Sequence, residues 1–405
     1  MESMNMNNKI VLAYSGGLDT TYCAVYLAKI KHMEVHAITI NTGAFSDQEL
    51  NELGKRAMAA GVKSFKCIDV REKYYNSCIR YLIYANVLKN GTYPLSVSSE
   101  RTAQAMAIAE YANILNISCI AHGSTGAGND QVRFDMVFQY MIPNVQIVTP
   151  IRDNKLSREQ EIEFLKMHGV DFDFKKAEYS INKGLWGTSV GGKETLTSNT
   201  YLPDQAWPVQ ATEKQIRDIQ LTFTQGELTA IDGQIFNHPV AAIEYLQEIA
   251  QPYGIGRDMH VGDTIIGIKG RVGFEAAAPT IIIKAHHLLE KHVLTKWQLY
   301  WKDQLAMWYG NWLHEGQMMD PVMRDMECLF ESTQKMVTGD VFVTLLPYRF
   351  VLTGIQSQHD LMSAKFGMYG EMNSAWSGED VKGFSKIFGN QSAIYQSVNH
   401  LQENG

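Results

Sequence analysis

The chain has 405 residues, 45% of them hydrophobic and 20% charged, a globular composition that excludes a disordered, collagenous or low-complexity protein. That length exceeds one ordinary core and implies two or three domains. Thirty-six Lys and Arg against 43 Asp and Glu leave a net charge of -7, so no basic surplus points to nucleic acid.

The polar N-terminus and the short apolar run from Ile10 to Tyr14 read as neither a secretion signal nor a membrane span. From residue 9 to about 168, apolar strands alternate with amphipathic helices. KIVLAY reads as a buried strand, TTYCAVYLAKI as a helix, VHAITI as a strand, and SDQELNELGKRAMAAG as a helix closed by Gly61. FKCIDV, helices around 73 to 89 and 100 to 115, ISCIAHG and VQIVTP continue the pattern. Strands separated by helices need crossover connections, so the fold class is α/β, a doubly wound, mainly parallel sheet that binds its ligands at the carboxyl ends of its strands.

Beyond about 170 the texture is α+β, with short alternating runs IQLTFTQGELTAIDGQ, DTIIGIKG, TIIIKAH and DVFVTLLPYRFVLTG among helices. Trp297, Trp301, Leu305, Trp308 and Trp312 recur on one face of a helix from Thr295 to His314, the pattern of a core or subunit-contact helix. Val381, Phe384, Ile387, Phe388, Ile394, Val398 and Leu401 keep a helical period near the end, a tail that needs a partner surface. The expected division is residues 1–168, 169–370 and 371–405: nucleotide domain, substrate domain and oligomerisation tail. Five cysteines without a C-x-x-C pair read as reduced thiols of a cytoplasmic protein.

The most informative segment is the strand that runs into Ser15, Gly16, Gly17, Leu18, Asp19 and Thr20 and straight on into a helix. Two glycines let successive N–H groups turn inward, two hydroxyls add donors, and the helix N-terminus adds partial positive charge, which together form a phosphate cradle. It lacks the Gly-Lys-Ser/Thr of a Walker loop and the G-x-G-x-x-G of a dinucleotide fold. Asp19 would repel phosphate unless it held a cation, which points to Mg2+. A second wide loop, His122 to Phe134, follows ISCIAHG. Its Asn129, Asp130 and Arg133 suit a substrate of amino-acid type.

The first loop resembles that of the ATP pyrophosphatase superfamily, whose members activate a substrate by adenylation. AYSGGLDT and HGSTGAGNDQVRF together closely resemble the argininosuccinate synthase family, and the similarity continues through Asn41, Gly43, Tyr93, Ser98, Arg101, Ser180, Ser189 and the stretch from GIGRD to KGRVGFEA. The resemblance implies ligation of citrulline to aspartate in two steps. The ureido oxygen attacks the α-phosphorus of ATP as pyrophosphate leaves, and the aspartate amine then displaces AMP. It further implies that ATP is held by Ala13, Tyr14, Ser15, Gly16, Gly17, Leu18, Asp19, Thr20 and Thr21, by the backbone at Ile40 and by Gly123. Citrulline falls to Tyr93, Ser98, Asn129, Arg133, Ser180 and Ser189, and aspartate to Thr125, Asn129 and Asp130. Ser15, Asp19, Arg101 and Asp130 would serve catalysis by positioning and electrostatics. Mg2+ arrives with ATP, near Asp19, without a dedicated metal cage, and the expected assembly is a homotetramer without nucleic acid or membrane as partner.

Two positions depart from the family's pattern. Gly262 and Phe274 stand where a glutamate and a tyrosine usually face citrulline. The expected compensation is that Asp263 turns inward to pair the substrate ammonium. The alternative is an N-acylated citrulline, which carries no ammonium. Other readings of the chain are a different adenylating enzyme of the superfamily, an amide ligase or a tRNA-thiolating enzyme, and a noncatalytic nucleotide-binding module.

Overall fold

The computed structural model describes residues 8–126, 128–170, 179–363, 369–371 and 375–403; Ala127 of the second loop lies outside them. The chain divides into two compact units, Met1–Ser357 and Gln358–Gly405.

The first unit opens with β1 (Lys9–Ala13), β2 (Glu34–Asn41), β3 (Ser64–Asp69), β4 (Cys119–Ala121) and β5 (Gln146–Val148). They form a parallel sheet in the order β3-β2-β1-β4-β5. Ile10, Val11 and Leu12 are fully buried, as expected of a strand covered on both faces. The strand order reverses between β1 and β4. The loops that leave those two strands therefore diverge to opposite faces and open a crevice at their carboxyl ends, where ligands of such sheets bind. Gly61, at φ +95°, follows the helix Asp47–Ala59 as anticipated.

Two antiparallel sheets follow, built from β6 (Ser180–Gly184), β7 (Gly187–Gly191), β8 (Arg217–Thr224), β9 (Glu227–Ile231), β10 (Gln234–Ile235), β11 (Arg257–Asp263), β12 (Lys269–Glu275), β13 (Gly339–Leu346) and β14 (Arg349–Gln356). One has the order β10-β9-β8-β13-β14, the other β11-β12-β7-β6. Two of the short apolar runs differ from the strand-like reading. TIIIKAH lies inside the helix Ala277–Val293, where Ile281, Ile282 and Ile283 are all buried; an element covered all round loses the periodicity that separates helix from strand. DTIIGIKG spans the turn between β11 and β12, closed by the Thr264 N–H and hydroxyl donating to the Ile268 carbonyl at 2.8 Å each.

The helix Lys296–His314 carries the tryptophan stripe. Trp297, Trp301 and Trp308 are exposed, while Leu305 and Trp312 pack against the core. The opposite face anchors the helix through Lys302, whose ammonium lies fully buried on Glu290 and the Tyr84 carbonyl. Asn86, Gln334 and His286 complete that polar core through mutual hydrogen bonds. In the second unit, helices Gly378–Phe388 and Asn390–Glu403 expose Val381, Phe384, Ile387, Phe388, Ile394 and Val398.

Removing one member of a buried ion pair strands the other. Lys302→Ala is expected to cost about 3–5 kcal/mol of unfolding free energy in a urea titration, and Lys302→Met combined with Glu290→Gln to recover most of it.

Candidate active site

The turn after β1 is built by its own side chains. The Ser15 N–H donates to Thr20 Oγ1 at 3.3 Å, the two hydroxyls lie 3.1 Å apart, and the Gly17 N–H faces Ser15 Oγ at 3.4 Å. Arg56 donates to the Gly16 carbonyl and ties the loop to the helix Asp47–Ala59. The two glycines differ in kind. Gly16 sits at φ +71°, and a Cβ there would meet Leu53 Cδ1 at 2.1 Å, so folding itself requires glycine. Gly17 has ordinary extended dihedrals, and a Cβ would meet only Ser15 Oγ at 3.5 Å. Ser15 is exposed, whereas the side chains of Tyr14, Leu18 and Thr21 are buried, so only their backbone is open to a ligand. Ile40 is buried at the carboxyl end of β2.

Gly123, just past β4, is where the second loop touches the first. A Cβ there would stand 3.1 Å from Thr20 Cγ2 and 3.2 Å from Asp19. Asp19 faces Glu161, a buried carboxyl of the helix Arg158–Met167 that sequence reasoning missed. Burial, then the Asp19 charge and hydrogen bond, push Glu161 up to about 8. Two carboxyls beside the turn at residues 15–20 are hard oxygen donors, a donor set that fits Mg2+ held through one or two carboxylates.

Farther along the second loop, Thr125 is exposed and Asn129 precedes the helix Asp130–Met141. Asn129 Oδ1 accepts from the Ile265 N–H at 2.8 Å, which brings the β11–β12 turn onto the loop. Asp130 stands between two guanidiniums, Arg101 Nε at 3.1 Å and Arg133 Nη1 at 2.9 Å. Burial opposes its ionisation, but the two cations outweigh that and hold the carboxyl below its usual range. Arg101 also donates to Gln104 at 2.9 Å and to Asn182 of β6 at 2.6 Å. Arg133 Nε and Nη2 donate to the His314 carbonyl at 3.0 and 2.7 Å. Asn182, which the sequence reading did not single out, joins the hairpin β6–β7 to the cluster.

Ser98 is buried with its hydroxyl 3.3 Å from His314 Nδ1. Tyr93 accepts from the Val97 N–H at 3.1 Å and stacks on His260 at 4.8 Å. Ser189 on β7 pairs with Asn182 on one side and Phe274 on the other, while Ser180 stands exposed at the start of β6. Phe274 is buried against Tyr93, with ring centroids 5.2 Å apart.

Asp263 does not turn inward. Side chains alternate along β11, so buried His260 and Gly262 share one face while exposed Val261 and Asp263 share the other. Asp263 pairs there with Lys269 at 2.6 Å, both side chains about seven-tenths exposed. A shift of one residue along a strand changes faces, which is why a neighbouring carboxylate is no substitute.

A parallel sheet whose switch point carries a glycine-rich turn, and whose second loop leads into the cluster of Asp130, Arg101 and Arg133, suits the class of ATP-dependent ligases. The chain belongs to the argininosuccinate synthase family: residues 9–171 match the family's N-terminal HUP domain and residues 179–395 its C-terminal domain. It is 33% identical over 405 residues to the argininosuccinate synthase of Xylella fastidiosa, covering 97% of this chain and 98% of that one. The Methanocaldococcus jannaschii enzyme is 33% identical over 396 residues, 96% and 98% covered, and that of Xanthomonas campestris 34% over 403 residues, with the same coverage. The family's reaction makes argininosuccinate from citrulline, aspartate and ATP, with release of AMP and pyrophosphate.

The two glycines can be told apart by experiment. Gly16→Ala is expected to lower thermal stability, whereas Gly17→Val leaves the melting temperature near wild type and abolishes ATP-dependent pyrophosphate release. Glu100 supplies a pH test. Burial, partly offset by Arg101, raises this carboxyl to about 7 from 4.5. Its folded-state pKa is raised, so its stabilising contribution is complete below 4.5 and lost as the pH climbs to about 7. Glu100→Gln should flatten that part of the stability curve by on the order of 3 kcal/mol, measured as urea midpoints across the interval.

Proposed function

We propose that the crevice between β1 and β4 adenylates a ureide of the citrulline type and that aspartate, entering by the second loop, displaces AMP. The carrying observation is the junction at Gly123, where the two loops approach so closely that a Cβ added to the second would press on Asp19 and Thr20 of the first. Ala13 to Thr21, with Ile40 and Gly123, cradle ATP. The Ser15 and Thr20 hydroxyls and the Gly16 and Gly17 backbone stabilise departing pyrophosphate with donors already in place. Asp19, with Glu161 beside it, would hold Mg2+, which when bound would supply charge neutralisation at the phosphates.

Thr125, Asn129 and Asp130 receive aspartate, while Tyr93, Ser98, Asn129, Arg133, Ser180 and Ser189 surround the ureide. Arg101 and Arg133 fix the Asp130 carboxylate, so catalysis here is positioning and electrostatics without a covalent protein intermediate. The exposed tryptophans of the helix Lys296–His314, and separately the exposed apolar face of the tail helices, support a homo-oligomer, which we take as a homotetramer. Among the described residues no helix is long and apolar enough to cross a membrane. We place the enzyme in the cytoplasm.

The test is an assay with ATP, aspartate and ureides in which AMP and pyrophosphate are followed separately. Aspartate-dependent AMP release is expected, and its absence with every ureide would sink the reading. Asp19→Asn should depress turnover and raise the Mg2+ concentration needed for half-maximal rate. Thr125→Ala should raise the aspartate KM by an amount equivalent to about 1–3 kcal/mol while ATP affinity holds. A raised KM for ATP alone would move that loop to the nucleotide.

A further inference from the structure

The part of the candidate site that would meet the substrate's amino-acid end lacks what a free α-ammonium requires. Gly262 faces inward, but the space a side chain would use is taken by His260: a Cβ at 262 would stand 2.7 Å from His260 Nε2 and 3.1 Å from its Cε1. The His260 imidazole is only 6% exposed, stacks on Tyr93, and has no partner for Nδ1 among the described residues. Burial, then the Lys89 charge, push it down to about 4, so it is neutral at neutral pH. Phe274 packs on the same Tyr93 ring, with centroids 5.2 Å apart, and extends the aromatic wall.

The nearest charges are cationic or already paired. Lys89 donates to Asn311 Oδ1 at 2.7 Å, and the carboxylates of exposed Glu315 and of Asp263 act on it at longer range without an ion pair among the described residues. Arg133 is held by Asp130 and the His314 carbonyl. Of the carboxylates, Asp130 is spanned by two guanidiniums, Glu100 is buried against Arg101, and Asp263 lies on the outer face of β11 with Lys269. An ammonium bound here would be desolvated beside Lys89 and Arg133, and the carboxylates inside the cluster, Asp130 and Glu100, are already held by arginine. A neutral imidazole offers one donor and one acceptor, which complements an amide, with its N–H and carbonyl, and not an ammonium with three donors.

We infer that the ureide this site takes is acylated on its α-nitrogen, an N-acylcitrulline whose amide meets His260. This rests on the ligase reading above and leaves its chemistry unchanged. The ureido oxygen still bonds to the α-phosphorus as the bond to pyrophosphate breaks, the aspartate amine still displaces AMP at the ureido carbon, and the amide is a spectator.

The full-length enzyme, with ATP, Mg2+ and aspartate, should be given citrulline, N-acetylcitrulline and N-succinylcitrulline in parallel, with aspartate-dependent AMP as the readout. At least one acylated form should exceed citrulline in kcat/KM by about tenfold or more. His260→Ala should erase most of that preference with the ATP KM unchanged. His260→Ala combined with Gly262→Glu, which frees the space and restores an inward carboxylate, should move the preference toward citrulline. A lead for N-succinylcitrulline that Lys89→Met removes would support the inference and assign the second carboxylate to Lys89. Citrulline turned over as well as or better than both acylated forms overturns the inference and leaves the ligase reading standing. No AMP from any of the three overturns that reading, and the inference with it.

Discussion

Asp130 and its two arginines hold the candidate site together. Arg101 comes from the helix Ser96–Ile114 and reaches Asn182 on β6; Arg133 comes from the helix that Asp130 begins and reaches the last turn of the helix Lys296–His314. One carboxylate therefore fixes four elements, two from the nucleotide-binding sheet region and two from the region that follows it. Arg133 is almost fully buried and Arg101 keeps 14% exposure, so neither charge could persist there unpaired. The cost of separating these charges makes the two regions one framework around the crevice, and it leaves Asp130 with a fixed ionisation state.

The nucleotide end obeys a different constraint, close approach of backbone. Gly16 turns where a side chain would strike Leu53, and Gly123 lets the loop after β4 settle on Asp19 and Thr20. These contacts bring two strand ends together at the switch point of the sheet. The donors they present are N–H groups and two hydroxyls that are positioned by each other before any ligand arrives.

The local structure of the turn after β1 was legible in the sequence because its requirements are local: a strand, two glycines, hydroxyls and a helix in that order. The loop after β4 followed by the same logic. The fold class followed from strands alternating with helices. What the sequence hid were matters of facing and of long-range pairing. Asp263 read as a plausible neighbour for the lost glutamate, yet strand alternation puts it outside. His260 carried a usable signal, two positions before Gly262 and hence on the same face, but its significance depends on the imidazole folding back over that glycine. Asn182 and Glu161 meet Arg101 and Asp19 across separations that no local pattern records. TIIIKAH was ambiguous for a further reason, since a helix buried all round shows the same unbroken apolar run as a buried strand.

The division between backbone and side-chain recognition also explains where this chain departs from its relatives. A cradle made of N–H groups cannot be altered by exchanging side chains without dismantling the turn, so the chemistry at the phosphates is fixed with the fold. On the reading proposed above, the amino-acid end would be read by side chains on one face of β11 and β12, where exchanging a carboxylate for glycine changes charge and volume but leaves the ladder hydrogen bonds intact. His260 occupies the space beside Gly262, and Phe274 packs its ring on Tyr93. On the proposed reading such a wall has little capacity for positive charge, while Lys89 and Arg133 give it capacity for negative charge. A strand pair whose register is unbroken can carry such a change of specificity without altering the reaction.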